Sequence, residues 1–360
     1  MASVFDPKLP LTHAHTIPAA WYHDPAVADA ETKVAFGATW QFVGRTEQVA
    51  KPGEYLTANI AGEPVLIVCG EDAQLRAFFN VCRHRAAPLL NEPCGQVAKL
   101  RCRYHGWTYD LAGQLRGTPE FEGVCDFTKD ENGLVPVAVE TWGPFVFVNL
   151  SPPVQTLEQY LSPMPEWACK HDPFNNLTWH ARHSYDLHCN WKVYVDNYLD
   201  GGYHVNTVHP ALAGVLNYHE YTTTTHGFTA LQSSPLKPSD SDAGRTRIGT
   251  HAAYWWAFPN FMVNLTAGVM DTNLVLQLGP DRCRVIFDFW FATELYDAFK
   301  AESIRVAEQV QAEDIAICEE VQRGLRSRSY DTGRFSVKRE NAGYHFQQLL
   351  ATCLNEQRTE

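Results

Sequence analysis

The stretch of sequence that decides the fold covers residues 80–107 and reads NVCRHRAAPLLNEPCGQVAKLRCRYHGW. It contains two matched pairs of metal-binding residue types, Cys82-x-His84 and Cys102-x-x-His105, and 17 residues separate His84 from Cys102. Each pair places one thiolate and one imidazole on a single short loop. Two such loops side by side can present two sulfurs to one metal ion and two nitrogens to another. The spacing therefore predicts a metal site to which both loops contribute.

Two kinds of metal centre use this set of ligands. A Rieske [2Fe–2S] cluster has two cysteines on one iron and two histidines on the other, which Cys82 with Cys102 and His84 with His105 would supply. A structural zinc ion also accepts two cysteines and two histidines, but zinc fingers usually pair cysteine with cysteine and histidine with histidine. The mixed pairing favours the cluster. Cys94 belongs to neither pair, and we interpret it as a free thiol.

The composition indicates an ordinary compact protein. The chain has 360 residues, of which 45% are hydrophobic and 19% charged, and this length suits two or three domains. The net charge of −12 argues against nucleic acid or an anionic membrane as a partner, and ten cysteines are too sparse for a disulfide scaffold. We find no signal peptide, transit peptide or membrane-spanning run, so we expect a cytoplasmic protein.

Periodicity and turn residues divide the chain into three parts. Residues 1–38 are predicted to be a lead-in with one short helix, packed on the third part. Residues 39–150 read as a series of short strands, and the prolines of SPPVQ at the start of the next part suit a boundary. Residues 151–360 combine strands with helices. Their longest helical pattern covers about 295–326, and a polar loop is expected at 237–247.

A second candidate metal site lies in NWKVYVDNYLDGGYHVNTVHP, residues 190–210. The helix that opens this stretch should end at its Gly-Gly pair, just before His204 and His209. Two imidazoles and one carboxylate form the facial triad that holds non-haem Fe(II) and leaves positions open for O₂. Asp196 and Asp200 precede the histidines. Either could accept the other N–H of a metal-bound imidazole.

The missing carboxylate of the triad is predicted to be Asp314, far along the chain. Asp314 shares one stripe of the long helix with the apolar Val310, Ile317 and Val321. An ionised carboxylate in an apolar stripe is costly unless a metal ion neutralises it. Glu313 falls about 100° away around the helix and is expected to face solvent.

Simpler interpretations of these residues stay open. A lone histidine such as His204 is more often a hydrogen-bonded core residue than a metal ligand. Asp314 could form an ion pair with Lys192 or Arg323 instead of binding metal. The close pair of histidines, in a chain that already has the cluster pattern, favours the metal site.

With both motifs, the chain resembles the catalytic (alpha) subunits of the Rieske non-haem iron oxygenases over nearly its whole length. DNYLDGGYHV, FPNFMVN, MDTNLVLQLGP and AEDIAICEEVQRGL are most similar to the plant choline monooxygenases and their bacterial relatives. The resemblance implies an α+β fold, with an antiparallel-β Rieske domain over 39–150 and a helix-grip (START-like) catalytic domain with a central antiparallel sheet over 151–360. It also implies a [2Fe–2S] cluster, a mononuclear Fe(II) and O₂ as co-substrate.

The resemblance further implies a head-to-tail homotrimer. A carboxylate would join His105 of one chain to His204 of the partner subunit and carry electrons from cluster to iron. In many family members this acid lies three residues before the first iron-binding histidine, where this chain has Gly201. Asp200 is one residue earlier, and the flexible glycines would let it fold back into the bridging position. Asn197 is similar to a family residue near the iron.

The electron source is expected to be a separate protein. The chain lacks a G-x-G-x-x-G loop after a strand and a cysteine cluster with plant-ferredoxin spacing, so it should bind neither NAD(P)H nor flavin itself. Electrons would come from an NAD(P)H-dependent reductase, with or without a ferredoxin. The expected enzyme is a monooxygenase or dioxygenase that hydroxylates or oxidatively demethylates a small substrate.

The substrate is suggested by AYWWAFPNF at residues 253–261. Aromatic faces can enclose a quaternary ammonium group, which favours a choline-, betaine- or carnitine-like compound. Neighbouring strand residues point to opposite faces, so Trp255 and Trp256 cannot both line one pocket, and most of these rings are expected in the core. An aromatic acid is the alternative, which arginine or lysine near the pocket would favour. An electron-transfer Rieske protein and a helix-grip ligand-binding module without oxygenase activity also stay open.

Overall fold

The computed structural model describes residues 5–356, so residues 1–4 of the predicted lead-in and residues 357–360 lie outside the described part. The chain forms two compact units. One unit is Ala35–Gln159, and the other combines the chain up to Val34 with the chain from Tyr160 onward. Among the described residues, no helix is both long and apolar enough to cross a lipid bilayer.

The unit Ala35–Gln159 consists of antiparallel strands, as predicted. They are β1 (Gln41–Arg45), β2 (Glu54–Ile60), β3 (Glu63–Cys69), β4 (Leu75–Phe79), β5 (Cys94–Gln96), β6 (Leu100–Arg101), β7 (Thr108–Tyr109), β8 (Leu115–Gly117), β9 (Pro136–Trp142) and β10 (Phe145–Asn149). Seven of them form a sheet of order β1-β10-β9-β4-β3-β2-β5, and the other three form a small sheet of order β6-β7-β8. The large sheet supports the first pair of predicted metal ligands, which follows β4. The second pair lies between β6 and β7.

Strand β3 is buried on both faces and divides the core of this unit in two. Its alternate residues point in opposite directions, as the two-residue period of a strand requires. Leu66 and Val68 belong to the cluster of buried side chains that includes Cys82 and Cys102. The neighbouring Val65 and Ile67 pack with the residues of β9 and β10. The two predicted cysteine ligands are therefore part of a hydrophobic core.

The second unit is built on another antiparallel seven-stranded sheet. Its strands, in the order β11-β17-β16-β15-β14-β13-β12, are β11 (Leu177–Leu187), β12 (Thr222–His226), β13 (Thr229–Pro235), β14 (His251–Ala257), β15 (Phe261–Thr266), β16 (Val269–Gly279) and β17 (Arg282–Ala292). The helices of the chain are α1 (Pro25–Glu31), α2 (Leu157–Tyr160), α3 (Met164–His171), α4 (Trp191–Tyr198), α5 (Val205–Val208), α6 (Pro210–Ala213), α7 (Asp242–Thr246), α8 (Asp297–Leu325) and α9 (Asn341–Glu356). Short 3₁₀ or π turns lie at Ala19–Tyr22, Thr32–Phe36, Thr46–Val49, Asp130–Asn132 and Tyr218–Glu220. Helix α4 contacts both α8 and β16, and this arrangement brings the middle of α8 near the sheet. The α+β prediction is confirmed.

The prediction of a polar loop at 237–247 is wrong in part, because α7 lies within it. The Ser241 side chain accepts a hydrogen bond from Gly244 N at 3.1 Å and so satisfies an N–H of the first turn. Asp242, in that turn, pairs with Arg245 at 2.5 Å. Short polar helices of this kind carry no apolar periodicity, so the pattern of the sequence did not predict α7.

The long helix α8 begins and ends close to the predicted positions, but its buried face differs from the prediction. Val321, expected in the buried stripe, is 45% exposed, whereas Gln311 and Gln322 are buried. The side-chain oxygen of each glutamine accepts a hydrogen bond, from Tyr194 Oη to Gln311 Oε1 at 2.7 Å and from Asn190 N to Gln322 Oε1 at 2.8 Å. Polar residues thus occupy inward positions on α8 where another residue provides a hydrogen-bond donor.

Residues near the start of α1 and its end contact residues far along the sequence, in α4 and α9. Glu31 at the end of α1 forms an ion pair with Lys192 of α4, with 2.6 Å between Oε1 and Nζ, and both side chains are fully buried. Trp191 Nε1 donates to the other Glu31 oxygen at 2.9 Å. Ile17 N donates to Gln347 Oε1 of α9 at 2.8 Å. Burial raises the pKa of Glu31 and lowers that of Lys192, and their mutual attraction opposes both shifts.

Candidate metal centres

The two predicted cluster loops close in the same way. In the first, the carbonyl of Cys82 accepts a hydrogen bond from Ala86 N at 3.0 Å, and in the second, the carbonyl of Cys102 accepts one from Gly106 N at 3.1 Å. Gly106 has φ +74°, a conformation that glycine adopts without strain. Each loop is therefore a tight turn that begins at a cysteine and carries its histidine within the turn.

The sulfur and nitrogen ligands have different surroundings. Cys82 and Cys102 are 2% and 3% exposed, and the Tyr109 hydroxyl lies 3.5 Å from Cys82 Sγ. Burial raises the pKa of the Cys82 thiol, so a bound metal is what would keep it ionised. His84 and His105 face each other with ring centroids 4.6 Å apart. The imidazoles lie nearer the surface than the sulfurs, and His105 is exposed.

The His84 ring is fixed by stacking, and one of its nitrogens has no hydrogen-bond partner among the described residues. It stacks on Trp107 at a centroid distance of 4.8 Å and an angle of 8°. Its Nδ1 atom is buried and has no hydrogen-bond partner among the described residues. A buried polar atom without a partner is costly, and a metal ion would satisfy it. The residues present therefore fit a bound metal group.

The geometry also separates the cluster from the zinc alternative. Four ligands of one zinc ion would bring their donor atoms within about 4 Å of one another, given metal–ligand bonds of about 2.0–2.3 Å. In the described part of the chain, the only three His, Cys, Asp or Glu side chains whose donor atoms lie within 4.8 Å of one another are at the second site. No three of the four donor atoms of the cluster loops lie that close together, which favours two metal ions over one. Cys94 is exposed on β5 with a free thiol.

At the second site, three side chains from three parts of the chain point at one place. His204 precedes α5, His209 follows it, and Asp314 projects from α8. The Nε2 atoms of the two histidines are 3.1 Å apart, and Asp314 Oδ1 lies 3.1 Å from His209 Nε2 and 3.8 Å from His204 Nε2. These three atoms could supply one face of a coordination sphere and leave the other face open. The ion pairs considered as alternatives for Asp314 do not form, because Lys192 pairs with Glu31 and Arg323 with Glu320.

Each of the three candidate ligands has a second partner. Asp200 Oδ2 lies 2.6 Å from His204 Nδ1 and also accepts a hydrogen bond from the His204 backbone N. Asn197 Nδ2 donates to Asp314 Oδ1 at 2.7 Å. A partner on the far nitrogen fixes the orientation and tautomer of a metal-bound imidazole. The arrangement therefore leaves both Nε2 atoms for a metal.

The prediction that Glu313 faces solvent is wrong. Glu313 Oε2 lies 2.6 Å from His209 Nδ1, on the opposite side of the ring from Asp314. Burial lowers the pKa of His209, but the hydrogen bonds and charges of Asp314 and Glu313 outweigh it and raise that pKa above its ordinary value. The site is thus strongly anionic and suited to a cation. The adjacent acids Glu313 and Asp314 are the one feature of the sequence that could have indicated two carboxylates around His209.

The two acids before His204 have different environments. Asp196 is half-buried and accepts hydrogen bonds from Tyr22 Oη at 2.5 Å and from Gln347 Nε2 at 2.9 Å. Burial raises the pKa of Asp196 to about 7. Of the two acids, Asp200 is the one that contacts the imidazole of His204.

The Gly-Gly pair explains how Asp200 reaches this position. Gly201 and Gly202 have φ values of +68° and +69°, a left-handed conformation that disfavours other residues. A Cβ atom on Gly201 would lie 2.1 Å from the carbonyl oxygen of Arg339. The chain therefore folds back between Asp200 and His204 along a path that glycine alone fits at position 201.

A cavity of about 150 Å³ opens beside the three candidate ligands. Its wall includes one row of side chains across neighbouring strands, in which Tyr254 is paired with Asn264, Asn264 with Asp271, and Asp271 with Phe289. Of the aromatic run at 253–261, only Tyr254 lines the cavity. The expectation that most of those rings lie in the core is confirmed.

The fold and the two sites together define a Rieske-type non-haem iron oxygenase. Residues 39–129 match the Rieske [2Fe–2S] domain, and residues 174–356 match the ring hydroxylating alpha subunit (catalytic domain). The chain belongs to the family of Rieske oxygenase alpha subunits and is an oxidoreductase of the choline and carnitine monooxygenase type.

The similarity to known proteins extends over almost the whole chain. The chain is 37% identical to the chloroplastic choline monooxygenase of Arabidopsis thaliana, over 97% of this chain and 85% of that protein. It is 32% identical to the carnitine monooxygenase oxygenase subunit of Escherichia coli (strain K12), over 95% of each. A solved quaternary ammonium Rieske monooxygenase, described with carnitine oxidation and inter-subunit electron transfer, superposes with a TM-score of 0.88 at 28% identity, covering 98% of this chain and all of that one.

Proposed function

We propose that this chain is the terminal oxygenase of a Rieske system that hydroxylates or oxidatively demethylates a small quaternary ammonium compound. Its electrons would come from a separate NAD(P)H-dependent reductase, directly or through a ferredoxin. The observation that carries the proposal is the convergence of His204, His209 and Asp314 beside a cavity with aromatic walls. Relatives named for choline and carnitine support the substrate class. A cytoplasmic location stays a prediction.

In this proposal, residues 39–150 form the Rieske domain and residues 151–360 the catalytic domain. Cys82 and Cys102 would bind one iron of the cluster, and His84 and His105 the other. When bound, the cluster supplies single electrons and the mononuclear iron supplies reaction with O₂. The chain's own residues would hold each group at its site and shape the space in which a substrate lies next to the open face of the triad.

Several contacts of the cavity wall give it a fixed shape. Tyr198 Oη donates to Asn264 Oδ1 at 2.7 Å, and Tyr194 Oη donates to Gln311 Oε1 at 2.7 Å. These hydrogen bonds turn the tyrosine rings into fixed walls. Aromatic faces attract a cation that has no N–H to donate. A rigid wall of this kind orients the substrate and keeps water from the reacting C–H bond.

Asp200 is the proposed path for electrons between subunits. Its carboxylate is 15% exposed, so it is accessible from outside while bonded to His204. In a head-to-tail homotrimer it would connect His204 to His105 of the partner subunit. The inter-subunit electron transfer described for the solved relative supports this assignment.

The test of the function is oxygen uptake by the purified chain with a generic reductase and a panel of trimethylammonium compounds and aromatic acids. Asp314→Ala and His204→Ala should lose mononuclear iron and product formation while the visible absorption of the cluster persists. His251→Ala, an exposed histidine of the same sheet, is the control. Product formation by Asp314→Ala at the wild-type rate would show that the triad is assigned wrongly.

A separate variant tests the bridge. Asp200→Asn removes the negative charge and retains the shape of the side chain. We expect it to keep the cluster and to reduce turnover per bound mononuclear iron by at least about a hundredfold, because electrons no longer reach the iron. Stopped-flow reduction of the cluster should remain normal. Steady-state turnover at the wild-type rate contradicts the role given to Asp200.

A further inference from the structure

Two charged side chains line the cavity besides the candidate metal ligands and their partners. Arg247 follows the last residue of α7 and is half-buried. Asp271 lies on β16, in the cross-strand row between Asn264 and Phe289. The metal triad uses neither residue. A charged group that is partly removed from water is costly unless something of opposite charge meets it.

Arg247 has no carboxylate partner within 4.0 Å in the part of the chain that the structure describes. The nearest acid of its own helix, Asp242, is already paired with Arg245 and Arg305, each at 2.5 Å. The recorded contact of Arg247 is the Tyr254 hydroxyl. Burial raises the pKa of Tyr254, and the charge of Arg247 and its hydrogen bond oppose that rise. A guanidinium with five donors thus faces the cavity with one phenol as its partner.

Asp271 likewise lacks a cation within 4.0 Å among the described residues. Asn264 Nδ2 donates to Asp271 Oδ2 at 2.6 Å and holds the carboxylate in place. Burial raises the pKa of Asp271 to about 6, and the hydrogen bond from Asn264 and the charge of Arg247 limit the rise. Tyr254 and Phe289 lie in the same row. The carboxylate is therefore an anionic point in an aromatic wall.

We propose that the substrate is a zwitterion, a quaternary ammonium compound that also carries a carboxylate. Arg247 binds the carboxylate of the substrate, and Asp271 with the surrounding rings binds its cationic group. This inference rests on the proposed function and narrows it. A guanidinium binds a carboxylate through two parallel hydrogen bonds, whereas a trimethylammonium group needs only negative charge and aromatic faces.

The other substrate classes leave one charge without a partner. Asp271 and Arg247 attract each other without forming an ion pair, so choline would engage the charge of Asp271 and bring no anion to the Arg247 guanidinium. An aromatic acid would satisfy Arg247 but place a neutral ring against the carboxylate of Asp271. Unpaired charges in an enclosed site oppose binding more strongly than surface charges do. A zwitterion is the class that meets both residues at once.

The experiment is equilibrium binding by titration calorimetry on the purified full chain, with and without reconstituted iron. The ligands are choline, three zwitterions of increasing length (glycine betaine, γ-butyrobetaine and L-carnitine) and benzoate. We expect at least one zwitterion to bind about tenfold more tightly than choline. In Arg247→Gln this preference should disappear while the affinity for choline stays within about twofold. Arg247→Lys should keep part of the preference.

Two further variants distinguish binding from a structural effect. Asp271→Asn should weaken choline and the zwitterions by similar factors, because both carry the ammonium group. Arg245→Gln, an exposed arginine of the same helix, should change neither. The melting temperature of every variant reports whether it folds. The preference of the wild type for a zwitterion over choline is measured without any variant, so it tests the inference even if a variant does not fold.

Three results would overturn the inference. These are equal or tighter binding of choline to the wild type, equal weakening of all ligands in Arg247→Gln, or binding of benzoate in preference to every zwitterion. In the first two cases the proposed function stands and only the zwitterion is wrong. The failure of every trimethylammonium compound to bind or react would instead remove the proposed function itself.

Discussion

Glu313 and Asp314 contact opposite nitrogens of one imidazole. Glu313 Oε2 is 2.6 Å from His209 Nδ1, and Asp314 Oδ1 is 3.1 Å from His209 Nε2. His209 itself is 2% exposed, so its ring cannot turn away. When an imidazole donates from Nδ1 to a carboxylate, its Nε2 is left as the neutral acceptor that a metal requires. Glu313 is thus a positioning residue for the metal site.

Glu313→Gln should weaken the retention of mononuclear iron by about 10–100-fold, the usual effect of losing a carboxylate behind a metal-bound histidine. Iron content after dialysis against a chelator series measures this, and the absorption of the cluster reports the other metal independently. Glu320→Gln, an exposed acid of the same helix, is the matched control. Equal iron retention in both variants would mean that the contact with His209 has no effect on the metal.

At this scale, the sequence predicted which three side chains converge better than it predicted their hydrogen-bond partners. His204, His209 and Asp314 could be selected because a close pair of histidines and an acid in an apolar stripe occur in a chain that also has the cluster pattern. Glu313 was predicted to face solvent because helical periodicity places it on a different face of α8 from Asp314. Periodicity cannot show that the His209 ring lies between these two side chains. Arg247 and Asp271 could not be selected, since a strand order must be known before residues on separate strands share a cavity.

Among the elements, the turn between α4 and α5 is constrained by hydrogen bonds and by a close backbone contact. Gly201 N donates to Gln232 Oε1 at 3.0 Å, and Gln232 Nε2 donates to the Tyr198 carbonyl at 2.7 Å, so the turn is fastened to β13. The resulting backbone path turns Asp200 toward His204. The Gly-Gly pair is therefore part of the structure that orients the site, as well as the end of a helix.

Gly201→Ala should displace this turn, because the new Cβ would lie 2.1 Å from the Arg339 carbonyl oxygen. We expect loss of most mononuclear iron and of turnover, with the cluster spectrum unchanged. Gly227→Ala is the control, since Gly227 also has a positive φ but has open space around its Cβ position. The pair separates the steric clash from backbone strain. Full iron occupancy in Gly201→Ala would contradict the account of the turn.

The elements themselves were largely predictable. The helices near residues 191 and 297 and the strands on both sides of them follow from apolar periodicity, which burial enforces. Helix α7 was missed because its stability comes from a Ser241 cap and from ion pairs of Asp242, which leave no apolar pattern. The inward orientation of Gln311 and Gln322 was not predicted because it depends on hydrogen bonds from Tyr194 of α4 and from Asn190, which caps that helix.

For the molecule as a whole, Asp196 links stability to pH. Its pKa is about 7 in the folded chain and near the ordinary 3.8 in the unfolded chain. The folded state therefore holds this proton more tightly, so the group's contribution to stability is complete below about pH 4 and is lost as the pH rises toward about 7. Tyr22 and Gln347, its two partners, come from opposite ends of the chain.

Asp196→Asn should remove this contribution to the pH dependence. Between pH 5 and 7 the unfolding free energy of the wild type should fall relative to that of the variant, and above about pH 7.5 the difference should stay constant. Urea denaturation at pH 5, 6, 7 and 8 measures it. Asp240→Asn, an exposed acid, is the control. Parallel curves for the wild type and Asp196→Asn would contradict the pKa given to Asp196.

The ion pair between Glu31 and Lys192 has a consequence for the making of the protein. Glu31 leaves the ribosome some 160 residues before Trp191, its other hydrogen-bond partner, and its lysine follows one residue later. During that interval an ionised carboxylate favours hydration of the end of α1, whereas an apolar side chain there would favour association with other nascent segments. A charged residue at this position therefore suits a helix whose partner lysine is synthesised much later.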